Sequence, residues 1–511
     1  MATYNSEDLM KATIAKFNEI LNAGDKNAPA NNQNFISWCT PGIPFLPEDF
    51  NFLEKGLAGK DGEETAILSK NAALFFNFAD MIPDPSAVYD MKQGQTLDRN
   101  SQEKLTYMYE NMLKLAKVSN VEATPIELKK IAAAEKLLIK TVSKTFPVME
   151  IDEESTTDDE NIVYKIKTIK KGKKDIMVTE KRDIELDSPQ KVAYDACQQV
   201  YNDALLEYNS KRVSALAGLS SAAVLDFNLN GDMYYNKVRN ATNNWIAKGK
   251  KNQIESASAT ISQIAQRNMA LWFADLKENL AKQKMSDALV GTFYPTFLYP
   301  TSFMKNPNWS RFSFGHSETD YFSKKNTTAW DAHAGGGFGP FSAKIKASGS
   351  SEQSNANFSA SAFKMEFELC TVKIIRPHIR TELFTCQGWK LDNQWEIQTG
   401  SKPLLSDGNN PPAGSFIAYS THAVFARSLK VTFDESSWQT SSMKKTLELG
   451  GEVSYGPFNV GGNYKRGDEE RSVKTSVSNA GFECAGAQLI GFINRQTGKL
   501  PNPSPLAKFD E

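Results

Sequence analysis

The sequence predicts an α+β fold: a helical N-terminal half with a long-helix bundle, then a β-rich C-terminal half of two repeated hairpin units. Three observations support this prediction. Apolar residues recur at helical spacing up to about residue 285, whereas Gly, Ser, Asn and aromatic residues become frequent after it. In the second half, apolar and polar residues alternate as they do in half-buried strands. One strand-rich unit also occurs twice.

Length and composition exclude several classes of protein. The chain has 511 residues, which at roughly 100–200 residues per domain suggests two to four domains. Hydrophobic residues make up 40%, enough to build cores, so a wholly disordered chain is excluded. The net charge of −1 excludes a chain-wide basic surface, and we expect no nucleic-acid partner. No apolar stretch reaches the ~18 residues of a membrane-spanning helix.

The helical patterns and composition shifts divide the chain into four parts. We predict a helical N-terminal domain over residues 1–149, a charged hairpin or loop over 150–187, a long-helix bundle over 188–290, and a β-rich domain over 291–511 with repeats at 309–376 and 429–495. Within the first part we expect an ordered connection over 37–58 and helices at about 63–82, 98–118 and 124–145.

The strongest sequence signal is an internal duplication in the C-terminal half. The run from Gly336 to Phe341 recurs as Val453 to Phe458, and the two share an aromatic residue followed by Gly-Pro-Phe. The offset is 117 positions, and each copy follows a glycine-rich run and precedes a segment with the character of a core strand. We therefore expect a duplicated unit of two β-hairpin arms between two core strands.

Alternation with period two predicts which residues of these arms share a face. The apolar face uses small residues and single aromatics, and the other face is Ser, Asn and Lys. We expect turns near Ser350 and at Arg466 to Asp468, and a bulge or bend near Ala362 and Gly481, where the alternation slips. The residues of the apolar face are Phe341, Ala343, Ile345, Ala347, Phe358, Ala360, Phe458, Val460, Tyr464, Val473 and Val477.

This arrangement over roughly residues 305–495 resembles β-barrel pore-forming proteins. In the perforin-like group, two amphipathic Ser/Gly-rich segments interrupt a core sheet, and aerolysin-like proteins with preformed hairpins are an equal comparison. The resemblance implies a toxin-like protein that forms homo-oligomers on target membrane lipid and inserts the apolar-face residues. Turns and hinges would then lie at Gly335, Gly336, Gly337, Gly339, Pro340, Gly450, Gly451, Gly456, Pro457 and Gly481.

Two other functions stay open at this stage. A non-enzymatic β-sandwich that serves as a binding or structural module explains the duplication without membrane chemistry. An effector delivered by a secretion or injection machine fits the N-terminus, which lacks the basic and apolar regions of a signal peptide. We expect synthesis in the cytoplasm followed by release or delivery outside the cell, and the sequence leaves any receptor open.

Catalytic motifs are absent, so we predict that the protein is not an enzyme and has no catalytic, cofactor-binding or metal-binding residues. The sequence contains no His-Glu-x-x-His, P-loop or Gly-x-Ser-x-Gly motif. His316 with Asp320, or His333 with Asp331, could form an acid–base pair, but loop histidines on a polar surface fit their context better.

Two smaller patterns carry structural expectations. Asp226 to Gly231 matches the first half of a calcium loop, but Lys237 occupies the position of its final ligand, so we expect a turn between helices. The five cysteines are widely spaced and no Cys-x-x-Cys occurs, which predicts reduced thiols; Cys370 and Cys386 could pair if the chain were secreted.

Overall fold

The computed structural model shows a mixed α+β protein whose sheets are antiparallel. It describes residues 34–57, 59–83, 104–119, 125–151, 164–171, 174–216, 221–265, 269–287, 291–307, 309–319, 341–347, 350–354, 359–399, 403–409, 412–466 and 469–509, with positions 4, 5, 9, 12, 13, 15, 16, 20 and 322.

Helices dominate the described residues between 51 and 283. They are α1 (Asn51–Lys55), α2 (Gly62–Ala79), α3 (Leu105–Leu115), α4 (Pro125–Leu138), α5 (Pro189–Leu216), α6 (Ser221–Ala247), α7 (Lys251–Ala265) and α8 (Met269–Gln283). Local chemistry sets their starts: Asp61 accepts a hydrogen bond from the Glu64 amide of α2, and Ser188 accepts one from the Lys191 amide of α5. Pro189 then occupies the first turn of α5.

A central sheet of eight strands organises the chain. Its strands are β2 (Asn34–Phe45), β12 (Phe297–Tyr299), β13 (Ser310–Gly315), β17 (Phe363–Ile375), β19 (Ala418–Phe433), β23 (Thr475–Ser478), β24 (Gly481–Cys484) and β25 (Ala487–Gln496). The long strands β17 and β19 pair in the middle. Strands β12 and β13 both pair with the far edge of β17, and β24 and β25 with the far edge of β19. Strand β2 then pairs with β25, and β23 with β24.

A second sheet, of five strands, lies in the segments that interrupt the central sheet. Its order is β15 (Ser350–Ser354), β14 (Phe341–Ala347), β20 (Glu452–Tyr455), β21 (Phe458–Arg466) and β22 (Glu469–Val473). Small helices α9 (Gln394–Thr399), α10 (Glu435–Thr440) and α11 (Ser442–Glu448) lie in the same half. Other short strands are β1 (Tyr4–Asn5), β3 (Ala116–Val118), β10 (Met285–Asp287), β11 (Gly291–Phe293), β16 (Ser359–Ala360) and β18 (Trp389–Leu391).

Two hydrophobic cores lie on opposite faces of the central sheet. Val424 belongs to one core and its neighbour Phe425 to the other, and Ile490 and Leu489 divide in the same way. Because successive strand residues point to opposite faces, the sheet separates the two cores. Helices α1, α2, α3 and α8 pack in the core of Phe425, whereas α5 and the five-stranded sheet pack in the core of Val424.

The segment between α4 and α5 is a branched β-arm. Its stem pairs β4 (Ile139–Pro147) with β9 (Thr179–Asp187), and two short hairpins extend it: β5 (Met149–Ile151) with β6 (Tyr164–Ile166), and β7 (Thr168–Lys171) with β8 (Lys174–Met177). The backbone amides of Val148, Lys167 and Val178 form hydrogen bonds where the three ladders meet. Of the two structures expected for residues 150–187, the described residues form the hairpin type.

Three sequence-based expectations for elements are wrong. The helix expected over 124–145 ends at Leu138, because the β-branched residues that follow Ile139 favour a strand. The connection expected over 37–58 contains most of β2, whose Pro41 is tolerated inside a bulge between Trp38 and Ile43. The turn expected at Asp226 to Gly231 lies within α6, where Asp226 accepts hydrogen bonds from Asn230 and Tyr234.

Candidate functional site

The candidate site is a pair of long insertions that leave the central sheet at the same end. Gly315, Lys364, Thr432 and Gly481 are successive cross-strand partners on β13, β17, β19 and β24. One insertion runs from residue 316 to 363 and the other from 433 to 480, 48 residues each. Both insertions therefore begin and end at one row of residues that crosses four adjacent antiparallel strands.

The first insertion contains the hairpin β14–β15 and the short strand β16. Phe341, Ala343, Ile345 and Ala347 all lie in β14, and Ser350, expected at the turn, already pairs with Ala347. Ala360 is fully buried in the core that contains α5. The expected inserting residue Phe358 lies outside the described residues, as do the expected hinges Gly335, Gly336, Gly337, Gly339 and Pro340.

The second insertion contains α10, α11 and the strands β20 to β23. Phe458 and Val460 are buried in the same core as Ala360. Val473 and Val477 are half-buried against that core, whereas Tyr464 packs against the core on the other face of the sheet. In this state, then, the apolar-face residues of the second insertion pack within their own chain.

The Gly456-Pro457 pair forms a two-residue turn between β20 and β21. Tyr455 and Phe458 are the pair that closes this hairpin, and Gly456 has φ 54. A positive φ at the first central residue, followed by proline, is typical of a type II′ hairpin turn, for which glycine is strongly favoured. Gly450 also has a positive φ, 70, after α11, where its amide bonds to the Leu447 carbonyl.

Gly481 marks the point where the second insertion returns to the sheet. A Cβ atom added there would lie 1.9 Å from the carbonyl oxygen of Val431, so only glycine lets the two backbones approach this closely. The Phe433 amide bonds to the Ala480 carbonyl just before this point. The Asp434 carboxylate also accepts hydrogen bonds from the Ser361 and Ala362 amides, which ties the two insertions together.

The two insertions are also joined strand to strand. Strand β14 of the first pairs with β20 of the second, from Phe341 opposite Tyr455 to Lys344 opposite Glu452. The five-stranded sheet therefore depends on both insertions, and movement of either one would break this ladder. Alternating residues of each insertion did predict strands, but a ladder between the two insertions has no signature in either segment alone.

A buried ion pair fastens the second hairpin to the N-terminal half. The Arg471 guanidinium on β22 donates to both carboxylate oxygens of Asp49, over 2.5 and 2.8 Å. The Asp49 side chain is 3% exposed, and the Leu46 amide also donates to it. Sequence reasoning missed this pair because its two residues are 422 positions apart and neither lies in a motif.

A second buried ionic group joins helix α5 to the middle of the central sheet. Asp195, with a side chain that is 2% exposed, accepts hydrogen bonds from Lys191 on its own helix and from Lys373 on β17. Burial lowers the pKa of the Lys373 ammonium, against the attraction of Asp195. Burial, helped by the charge of Lys373, also lowers the pKa of nearby His422 to about 4.

A third polar cluster lies buried between α2, α3 and the end of β17. Thr106 donates to Asp80 through its hydroxyl and its amide, and its Oγ1 is 3.2 Å from Nε2 of His378. Burial raises the pKa of Asp80 to about 7 and holds the pKa of His378 well below its usual value. The Arg376 guanidinium donates to the carbonyls of Ala79 and Ser420. This cluster joins helices to the sheet.

The expected acid–base pairs and thiol pair meet the structure only in part. His316 lies in a one-turn helix at the start of the first insertion and contacts the Tyr4 ring. Its expected partner Asp320 lies outside the described residues, as do His333 and Asp331. All five cysteines are free thiols, so Cys370 and Cys386 do not pair. In the part of the chain that the structure describes, no three His, Cys, Asp or Glu side chains are grouped to hold a metal ion.

Among the described residues, no helix combines the length and the apolar character needed to cross a bilayer.

Comparison with known proteins adds no relative. No protein-family model, no curated protein and no solved structure matches this chain.

Proposed function

We propose that the chain is a membrane-damaging, pore-forming protein that assembles on a target membrane and inserts the two insertions as β-hairpins. The observation that carries this proposal is the row Gly315, Lys364, Thr432 and Gly481, from which both insertions leave. If each insertion straightened, its two arms would extend two strands that are already adjacent and antiparallel. The result would be a four-stranded ribbon that grows from one end of the sheet.

The repeat supports the same proposal because it coincides with this row. Position 315 plus the offset of 117 is 432, and position 364 plus the same offset is 481. The hairpins agree as well, since β14 starts at Phe341 and β21 at Phe458. The two halves of the ribbon would thus be equivalent copies, each entering and leaving the sheet at corresponding residues.

Length is sufficient for the proposed insertion. Half of a 48-residue insertion is about 24 residues, which at roughly 3.3 Å per residue spans about 80 Å. A transmembrane strand needs only about 9–11 residues. A membrane barrel must also close, because open sheet edges cannot face lipid, so several copies of the chain would have to contribute ribbons.

The competing function is a static binding or structural module. It is favoured by the burial of Phe458 and Val460, which lie in the core rather than on a surface that is ready to insert. Pore formation requires these residues to leave the core and contact lipid instead. Lipid would replace the apolar environment that they lose, so the transfer need not expose them to water for long.

Release of a trapped dye from liposomes tests the proposal. We expect the protein to release dye in a concentration-dependent way from vesicles of at least one lipid composition, and to form ring-shaped oligomers on them in electron micrographs. A binding module could attach to vesicles but would leave the dye inside. Absence of leakage and of rings over a range of lipids and pH values would contradict the proposal.

A further inference from the structure

The N-terminal strap, which we define as the described positions between Tyr4 and Ile20, contacts the first insertion. Tyr4 and Asn5 form strand β1, which pairs antiparallel with Ala360 and Ser359 of β16. The Tyr4 ring also lies 4.8 Å, centroid to centroid, from the ring of His316 at the start of that insertion. The strap thus holds both ends of the first insertion.

The strap also contacts the edge strand of the central sheet. Lys16 donates a 2.6 Å hydrogen bond to the carbonyl oxygen of Ser313 on β13 and a 2.7 Å bond to Glu318. Its side chain is only 3% exposed, and burial lowers the pKa of its ammonium group against the attraction of Glu318. The ammonium lies 5.5 Å from the centre of the Phe312 ring.

Apolar contacts complete the attachment of the strap. Leu9 and Ala12 are fully buried and Ile20 is 3% exposed, in the core that holds Phe314 and Ala360. Burial of such apolar side chains favours the attached strap. The strap therefore protects apolar side chains on the strand that leads into the first insertion.

Within the described part of the chain, strand β13 lies at an edge of the central sheet. Among the described strands it pairs only with β17, through six consecutive residues without a bulge and without proline. Another edge strand, β2, contains a bulge and two prolines, Pro41 and Pro44, features that discourage pairing with another chain. Next to the first half of β13, a groove of about 770 Å³ separates it from α5 and α6.

We propose that the N-terminal strap is an autoinhibitory element: it keeps the first insertion folded and blocks β13 from pairing with a second copy of this chain. Release of the strap frees both ends of the insertion and exposes a regular strand edge in one step. This inference rests on the proposed function, because it assigns the strap to the control of assembly and insertion.

A disulfide lock tests whether the strap must leave. Asn5 and Ser359 are Cα partners on adjacent antiparallel strands, so the variant Asn5→Cys with Ser359→Cys can form a disulfide. We expect the oxidised variant to stay monomeric and to release no dye from liposomes. Reduction of the disulfide should restore oligomerisation and dye release. The control is Thr145→Cys with Lys181→Cys, an exposed pair on β4 and β9 outside both insertions, which should behave as the unmodified chain in both redox states.

A loosened strap gives a readout that needs no membrane. Lys16→Gln removes the charge that pairs with Glu318, and we expect at least tenfold faster amide hydrogen exchange at residues 313–315 and 359–360, with self-association in size-exclusion chromatography. Unchanged exchange and no self-association would overturn the inference, as would full leakage by the oxidised lock. If Lys16→Gln exchanges faster and self-associates more than the unmodified chain but neither protein releases dye, the proposed function fails and the strap inference stands.

Discussion

At the scale of single residues, Gly481 shows how tightly the return of the second insertion is built. Its alternation slip could be located from the sequence, because apolar and polar residues change phase there. The close approach of its Cα to the Val431 carbonyl could not be predicted, because it depends on a partner 50 positions away. An added Cβ would lie only 1.9 Å from that oxygen. A glycine in a sequence marks freedom of the backbone but not the atom that requires it.

Gly481→Ala should destabilise the protein strongly. The added methyl group must displace the β19 backbone, and we expect a loss of about 2–4 kcal/mol in the free energy of unfolding measured by urea denaturation. Gly486→Ala is the matched control, because a Cβ at Gly486 meets no atom within 4 Å and its φ is not positive; its effect should stay below about 1 kcal/mol. Equal effects of the two substitutions would contradict the assigned contact.

His422 should make the free energy of unfolding depend on pH in the acid range. Its pKa is held at about 4 by burial and by the neighbouring Lys373, below the usual 6.5, and Asp195 opposes this shift. The folded state therefore favours neutral histidine: the resulting stability is complete above about pH 6.5 and is lost as the pH falls through 4. This shift of the pKa corresponds to about 3 kcal/mol.

His422→Gln should remove this part of the acid sensitivity. We expect the free energy of unfolding of the variant to fall less between pH 7 and pH 4 than that of the unmodified chain. Urea denaturation at a series of pH values measures the difference. Parallel pH profiles for the two proteins would show that protonation of His422 does not weaken the joint between α5 and the sheet.

At the scale of elements, sequence periodicity predicted the helices and strands that follow from the spacing of residues within one segment. The long helices and the alternating hairpin strands follow from spacing within one segment, and Ser188 and Pro189 mark the start of α5. Strand β2 was missed because Pro41 and Pro44 indicate a connection, and only pairing with β25 makes this segment a strand. A distant contact decided β2, whereas the early end of α4 and the unbroken α6 are set by local sequence.

The Asp49–Arg471 pair should control how firmly the second hairpin is held. Arg471→Met would remove the guanidinium that pairs with the buried Asp49 carboxylate, and loss of a charged partner from a buried group costs about 3–5 kcal/mol. We expect faster hydrogen exchange in β21 and β22. Because the hairpin would leave the core more readily, we also expect dye release at lower protein concentration.

An exposed ion pair provides the control for that variant. Lys430 and Glu483 pair across β19 and β24 with side chains about half exposed, so Lys430→Met should change stability by less than about 1 kcal/mol. If Arg471→Met showed the same amide hydrogen exchange and the same dye release as the unmodified chain, the Asp49–Arg471 pair would not restrain the hairpin.

At the scale of the whole molecule, the row of four strand ends unites the repeat, the insertions and the strap. The offset of 117 predicted a duplication, but it did not reveal that the two insertions depart from adjacent strands. That arrangement depends on sheet order, which periodicity does not encode. Nor did the sequence indicate that Lys16 bonds to the edge strand β13, which leads into the first insertion.

The central claim is that the insertions straighten to enter a membrane, and a single cysteine substitution tests it most directly. Thr475 on β23 is the Cα partner of the native Cys484 on β24, so Thr475→Cys can form a disulfide that keeps the second insertion folded back. Ser476→Cys is the control, because its partner is Glu483. We predict that oxidised Thr475→Cys releases no dye from liposomes and that reduction restores release, while Ser476→Cys releases dye in both states. Equal release by oxidised and reduced Thr475→Cys, with the disulfide verified by mass spectrometry, would contradict the claim.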